Sequence, residues 1–93
     1  MSIQLVFADP HPVMLDGLQS VFRQESDFAV CSCVQDGEAA WRDVQRLKPD
    51  VLIHELNLPK LNGWRLIQAM RSDGMPTIPV VLTCPLTSTR PPP

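Results

Sequence analysis

The sequence predicts one α/β domain, a parallel sheet with helices on both faces. Three observations lead there. Four short runs, at residues 3–8, 28–34, 51–54 and 79–83, are apolar or rich in strand-forming residues. Unbroken apolar runs suit strands buried on both faces. Between these runs lie three segments whose apolar residues return at helical spacing. The order is therefore β-α-β-α-β-α-β, and strict alternation argues for parallel strands joined by right-handed crossovers.

Each element has its own justification. "IQLVFA" is the first strand, and "DPHP" breaks it. Pro12 suits the first turn of a helix, where its missing N–H would have no partner in any case. Met14, Leu15, Leu18, Val21 and Phe22 carry that helix to near Glu25. "FAVCSCV" is the second strand, and "QDGE" ends it with Gly37 as the turn residue. Ala39, Ala40, Trp41, Val44 and Leu47 form the second helix, which Pro49 stops. "VLIH" is the third strand and "NLPKLNG" a loop. Trp64, Leu66, Ile67 and Met70 mark the third helix, and after the turn "SDGMP" comes the fourth strand, "PVVLT".

The 93 residues suffice for one modest core. Hydrophobic residues make up 44% and charged residues 19%, ordinary globular usage. The net charge of −2 is spread along the chain, with no basic patch for nucleic acid. No apolar run is long enough to span a bilayer and no secretory leader opens the chain, so the expected location is the cytoplasm. Three cysteines give no disulfide framework. Cys31 and Cys33, two apart in a strand, are expected on one face as buried, reduced thiols. His11 and His54 do not complete a zinc set with them. The last ten residues, "CPLTSTRPPP", hold four of the ten prolines. The expected division is a domain over 1–83 and an extended Pro-rich tail over 84–93.

In open parallel sheets, ligands bind beyond the carboxyl ends of the strands. Asp9, Glu55 and Thr83 fall at such ends. In the flavodoxin-like order 2-1-3-4, Asp9 and Glu55 face each other across one crevice, with Thr83 alongside. Spacing alone leaves two readings open. Either these residues line a site, or Asp9 caps the first helix and Glu55 simply reaches solvent.

Three stretches carry a resemblance. "FADPHPVMLDGLQSVF", "DGEAAWRDVQRLKPDVLIHELNLPKLNGWRLIQAMR" and "VVLT" resemble, in one register, the receiver (CheY-like) domain of bacterial two-component response regulators. The nearest subgroup is the LuxR/NarL type, which carries a C-terminal helix-turn-helix. The resemblance runs from Ile3 to Thr83. It implies a three-layer α/β/α fold of order 2-1-3-4 that lacks the family's last helix-strand-helix. Asp9 matches the first of the two acidic positions that hold magnesium in the family. Pro10 stands at the second and offers no side-chain oxygen. Glu55 stands at the phospho-acceptor position, where the family has Asp. Thr83 matches the switch hydroxyl, and Pro59 and Gly63 match the site loop. The family's lysine, at the end of a fifth strand, has no counterpart.

Phosphoryl transfer to a carboxylate rests on positioning and charge neutralisation, and magnesium demands near-octahedral oxygen geometry. Pro10 and the longer Glu55 spoil that geometry. The expected function is therefore a non-phosphorylatable pseudo-receiver in two-component phosphorelay signalling. It acts by protein–protein interaction and is not an enzyme. Glu55 is either a permanent partial mimic of the phosphorylated state or inert. The alternatives are a working phospho-receiver, accepting a phosphoryl group from a histidine kinase with magnesium, and a shortened product with no independent role. No cofactor is expected beyond weak magnesium binding at Asp9. The expected partners are a second copy of the chain and a sensor kinase or other signalling protein, with no nucleic acid and no membrane. His11 is expected to lead into the first helix and His54 to be semi-buried with its hydrogen bonds satisfied. Trp41 and Trp64 are expected to pack in the core.

Overall fold

The computed structural model describes residues 2–82. Thr83 and the 84–93 tail lie outside the described residues. The elements run β1 (Ile3–Ala8), α1 (Pro12–Arg23), β2 (Phe28–Val34), α2 (Gly37–Leu47), β3 (Val51–Glu55), α3 (Gly63–Ser72) and β4 (Ile78–Leu82). The four strands form one sheet of order β2-β1-β3-β4, and every pairing is parallel. Each expected element is present, within about two residues.

Strand alternation divides the core between the two faces. Val6, Ala8 and Leu52 point to the side of α2 and α3, where they meet Ala40, Val44, Leu66 and Met70. Leu5, Phe7 and Ile53 point to the side of α1 and meet Leu15, with Leu18 and Phe22 packed around them. The Phe22 ring lies 5.5 Å from Phe7 and 5.1 Å from Phe28, the latter edge-on. That geometry suits the charge distribution of aromatic rings.

The helix starts differ. Pro12 opens α1 without a side-chain cap. Asp36 caps α2, accepting from the Ala39 N–H at 2.7 Å. Asn62 caps α3, accepting from the Arg65 N–H at 2.9 Å. Both satisfy amides that the first turn leaves without a partner. Gly37 is therefore not a turn residue, as its sequence context suggested, but the first residue of α2. It is needed there because a Cβ would collide with the Leu61 carbonyl.

β2 corrects a second expectation. Leu5 pairs with Val30 but Val6 pairs with Ser32, so Cys31 is the extra residue of a β-bulge. The bulge breaks the alternation that would have placed Cys31 and Cys33 together. Cys31 is exposed, while Cys33 packs beneath α1. Ser32 turns to the other face, where its hydroxyl donates to the Asp43 carboxylate of α2 at 2.5 Å. Both thiols are free.

Candidate functional site at the carboxyl end of the sheet

Ala8 of β1 pairs with His54 of β3, and Glu55 of β3 pairs with Leu82 of β4. Asp9 and Glu55 are thus the next residues along two adjacent strands, at the same end of the sheet. The strand ends that carry Asp9 and Glu55 are adjacent, as the sheet order predicts. Thr83 lies outside the described residues.

Asp9 is 1% exposed. Its Oδ1 accepts the His11 backbone N–H at 2.8 Å and lies 2.9 Å from His11 Nδ1. This is a local turn closed by a carboxylate. It holds the residue that leads into α1 but gives α1 itself no cap, since the bond stops at His11. Pro10 adds no oxygen. Among the described residues, no group of three or more His, Cys, Asp or Glu is placed to hold a metal ion. Magnesium takes octahedral oxygen coordination and keeps several of its waters, so the protein oxygens on offer at this end of the sheet are the Asp9 and Glu55 carboxylates.

Glu55 is half-buried, and its carboxylate has no hydrogen bond or ion pair among the described residues. The loop after it is closely held. Leu58 is buried in the core. The Pro59 carbonyl accepts from the Gly37 N–H at 3.0 Å and the Leu61 N–H at 2.7 Å. Lys60 takes a left-handed backbone, φ 70°. Gly63 donates to the Leu56 carbonyl at 2.8 Å. A Cβ on Gly63 would stand 2.7 Å from the Glu55 carbonyl oxygen and 3.0 Å from His54 Nδ1. Glycine is required there by close approach, not by a positive φ.

His54 departs from expectation. It is 0% exposed, not semi-buried, and only one ring nitrogen is satisfied. Nδ1 lies 3.1 Å from the Glu55 carbonyl oxygen. A carbonyl only accepts, so Nδ1 carries the hydrogen and Nε2 the lone pair. Nε2 is buried without a partner among the described residues. Burial pushes the His54 pKa down, outweighing the Glu55 carbonyl and carboxylate, which push it up. Trp41 packs against the core as expected. Trp64 does not: it stands 46% exposed beside the site loop, because its position at the start of α3 points away from Leu66 and Met70.

Sequence reasoning missed Asp36. Its Oδ1 caps α2, and its Oδ2 lies 3.8 Å from Lys60 Nζ in the site loop. An Asp directly before a helical run was the available signal.

Residues 5–89 match the family described as response regulator receiver domain. The chain belongs to that family. Among curated relatives, this receiver is 36% identical over 61 residues to the transcriptional regulatory protein DegU of Brevibacillus brevis, a match covering 66% of this chain and 26% of DegU. It is 26% identical over 80 residues to the oxygen regulatory protein NreC of Staphylococcus aureus (strain JH9), covering 86% of this chain and 37% of that protein. The receiver thus spans roughly a quarter to just over a third of these relatives. Among solved structures, the receiver domain of RcsB from Salmonella enterica serovar Typhimurium, in the presence of phosphomimetic BeF3−, matches with TM-score 0.81 and 27% identity, covering 89% of this chain and 62% of that one. The receiver domain of NarL from Mycobacterium tuberculosis shares the fold, with TM-score 0.84 at 24% identity, covering 91% of this chain and 71% of that one. Among the described residues, no helix is long and apolar enough to cross a membrane.

Proposed function

We propose that this receiver is a pseudo-receiver that signals in the cytoplasm through protein contacts and takes no phosphoryl group. The observation that carries the reading is the state of the two acidic positions. Asp9 already spends Oδ1 on the two nitrogens of His11, and Pro10 supplies nothing beside it. A metal brought to Asp9 would displace those bonds and still find too few oxygens. Glu55 has one more methylene than Asp, and its half-buried carboxylate has no hydrogen bond or ion pair among the described residues. A negative charge held there resembles the charge that a phosphoryl group would add. The partners that fit are a sensor kinase or another signalling protein, and a second copy of the chain through the apolar face described in the Discussion.

The test is intact mass after incubation with magnesium and acetyl phosphate or phosphoramidate. No gain is expected. A gain of one phosphoryl group that vanishes in Glu55→Gln would establish a working phospho-receiver instead. Magnesium is expected to bind with a dissociation constant weaker than about 0.1 mM, on the order of −5.5 kcal/mol. Pro10→Asp with Glu55→Asp restores two carboxylates of the required length and is expected to tighten it.

A further inference from the structure

We propose that the amino end of α2 is a brace that positions the loop between β3 and α3, so that α2 and the Glu55 site move as one body. The proposal rests on the reading of Glu55 as the signalling carboxylate of the site, and it goes beyond that reading by naming what sets its position. Three contacts join the brace to the loop. The Gly37 N–H donates to the Pro59 carbonyl at 3.0 Å. The buried Cα of Gly37 lies so close to the Leu61 carbonyl that no side chain fits between them. Asp36 uses one oxygen to cap α2 and sets the other 3.8 Å from Lys60 Nζ.

Lys60 sits between these contacts in a left-handed conformation, φ 70°, that a non-glycine residue rarely adopts. Such a conformation persists where its surroundings hold it. The constraint then runs on to the site. Gly63 is fixed to the Leu56 carbonyl and packs against the backbone of Glu55. The loop is pinned at Pro59–Leu61 by α2 and at its far end by β3. A partner that grips the exposed side of α2, where Glu38 and Arg42 stand, would therefore shift Glu55. Coupling of this kind is reciprocal, so a ligand at Glu55 would equally be felt at Gly37.

Amide hydrogen exchange and two-dimensional NMR on the 93-residue chain test the brace. As the first residue of a helix, Gly37 has no intrahelical partner. Its amide is nevertheless expected to exchange at least tenfold more slowly than that of Glu38, and to lose that protection in Lys60→Met. Asp36→Asn keeps the cap and removes the charge. It is expected to move the signals of Glu55, Leu61 and Trp64 while leaving those of Leu5 and Ile78 in place. Gly37→Ala is expected to move the same three signals further. If that variant does not fold, the exchange and Asp36→Asn measurements still decide. A Gly37 amide as fast as Glu38, or site signals unmoved in folded variants, would overturn the proposal. Uptake of phosphate with Gly37 protection intact would refute the pseudo-receiver reading and leave the brace standing.

Discussion

His54 makes the stability of this receiver depend on pH in a window separate from that of Asp43. Burial lowers its pKa in the folded state below the ordinary 6.5, because a second ring proton on Nε2 would meet no acceptor among the described residues. The unfolded chain takes that proton more readily, so it gains protons first as the pH falls. The stability linked to neutral His54 is thus complete above about pH 6.5 and is lost progressively below it, toward the lower folded pKa. Urea melts at pH 7.5 and 5.5 are expected to show a drop in midpoint that His54→Met largely removes; an equal drop in the variant would assign the effect elsewhere. Asp43 behaves oppositely. Burial pushes its pKa up, but the hydrogen bonds from Ser32 and Arg46 and the charges of Arg46 and Arg42 outweigh it, and the net shift is down. Its contribution is present at neutral pH and lost only as pH falls below 3.8, so the two windows separate. Asp43→Ala, which strands the Ser32 hydroxyl, is expected to cost about 1–3 kcal/mol in a urea melt. Arg46→Ala is expected to cost under about 1 kcal/mol, because that side chain is 64% exposed.

The elements themselves could be read from periodicity, since each strand is apolar where it is covered on both faces and each helix has one apolar stripe. So could the placing of Asp9 and Glu55, which follows from strand ends and sheet order. What could not be read is where backbone meets backbone. Gly37 looks like any turn glycine in "QDGE" until Leu61 is seen beside it, and those two are far apart in sequence. The bulge at Cys31 is hidden for a related reason. "FAVCSCV" fits an unbroken strand, and only the pairing with β1 shows one residue too many. The bulge gives the two thiols different chemistry. Cys31 is exposed at a sheet edge, whereas the pKa of Cys33 is raised, chiefly by burial and slightly by Asp16, with Arg23 opposing. In a Cys84→Ser background, a disulfide reagent at pH 8 is expected to modify Cys31 at least tenfold faster than Cys33, since the thiolate is the reactive form. Equal rates would mean that β2 pairs without the bulge in solution.

The two faces of the sheet are covered unequally, and this bears on how the molecule meets a partner. α2 and α3 share one face. On the other, α1 is the one helix among the described residues, and it lies over β1 and β2. Its flank toward β2 is polar: the charges of Asp16 and Arg23 reach Cys33. Helical spacing places Met14, Gly17 and Val21 on the opposite flank, toward β3 and β4. There Ile78 and Val80 share the sheet face of Leu82, which packs with Ile53 and Val51. Met14 is 43% exposed, Val21 61%, Ile78 59% and Val80 43%. Exposed apolar side chains gathered on one face mark a contact surface. A second copy of the chain can offer the same surface across a two-fold axis, and each copy then covers the other. A stable contact buries about 1,000 Å² or more in total, and α1 with β4 is long enough to supply its half. Light scattering of the 93-residue chain at tens of micromolar is expected to give twice the 10.4 kDa chain mass. Val21→Asp combined with Val80→Lys puts charge at the centre of the contact and is expected to give a folded monomer. A wild-type monomer at that concentration, with the Val80 and Val81 amides already protected from exchange, would show that the face is covered within one chain, and the two-fold contact would have to be abandoned.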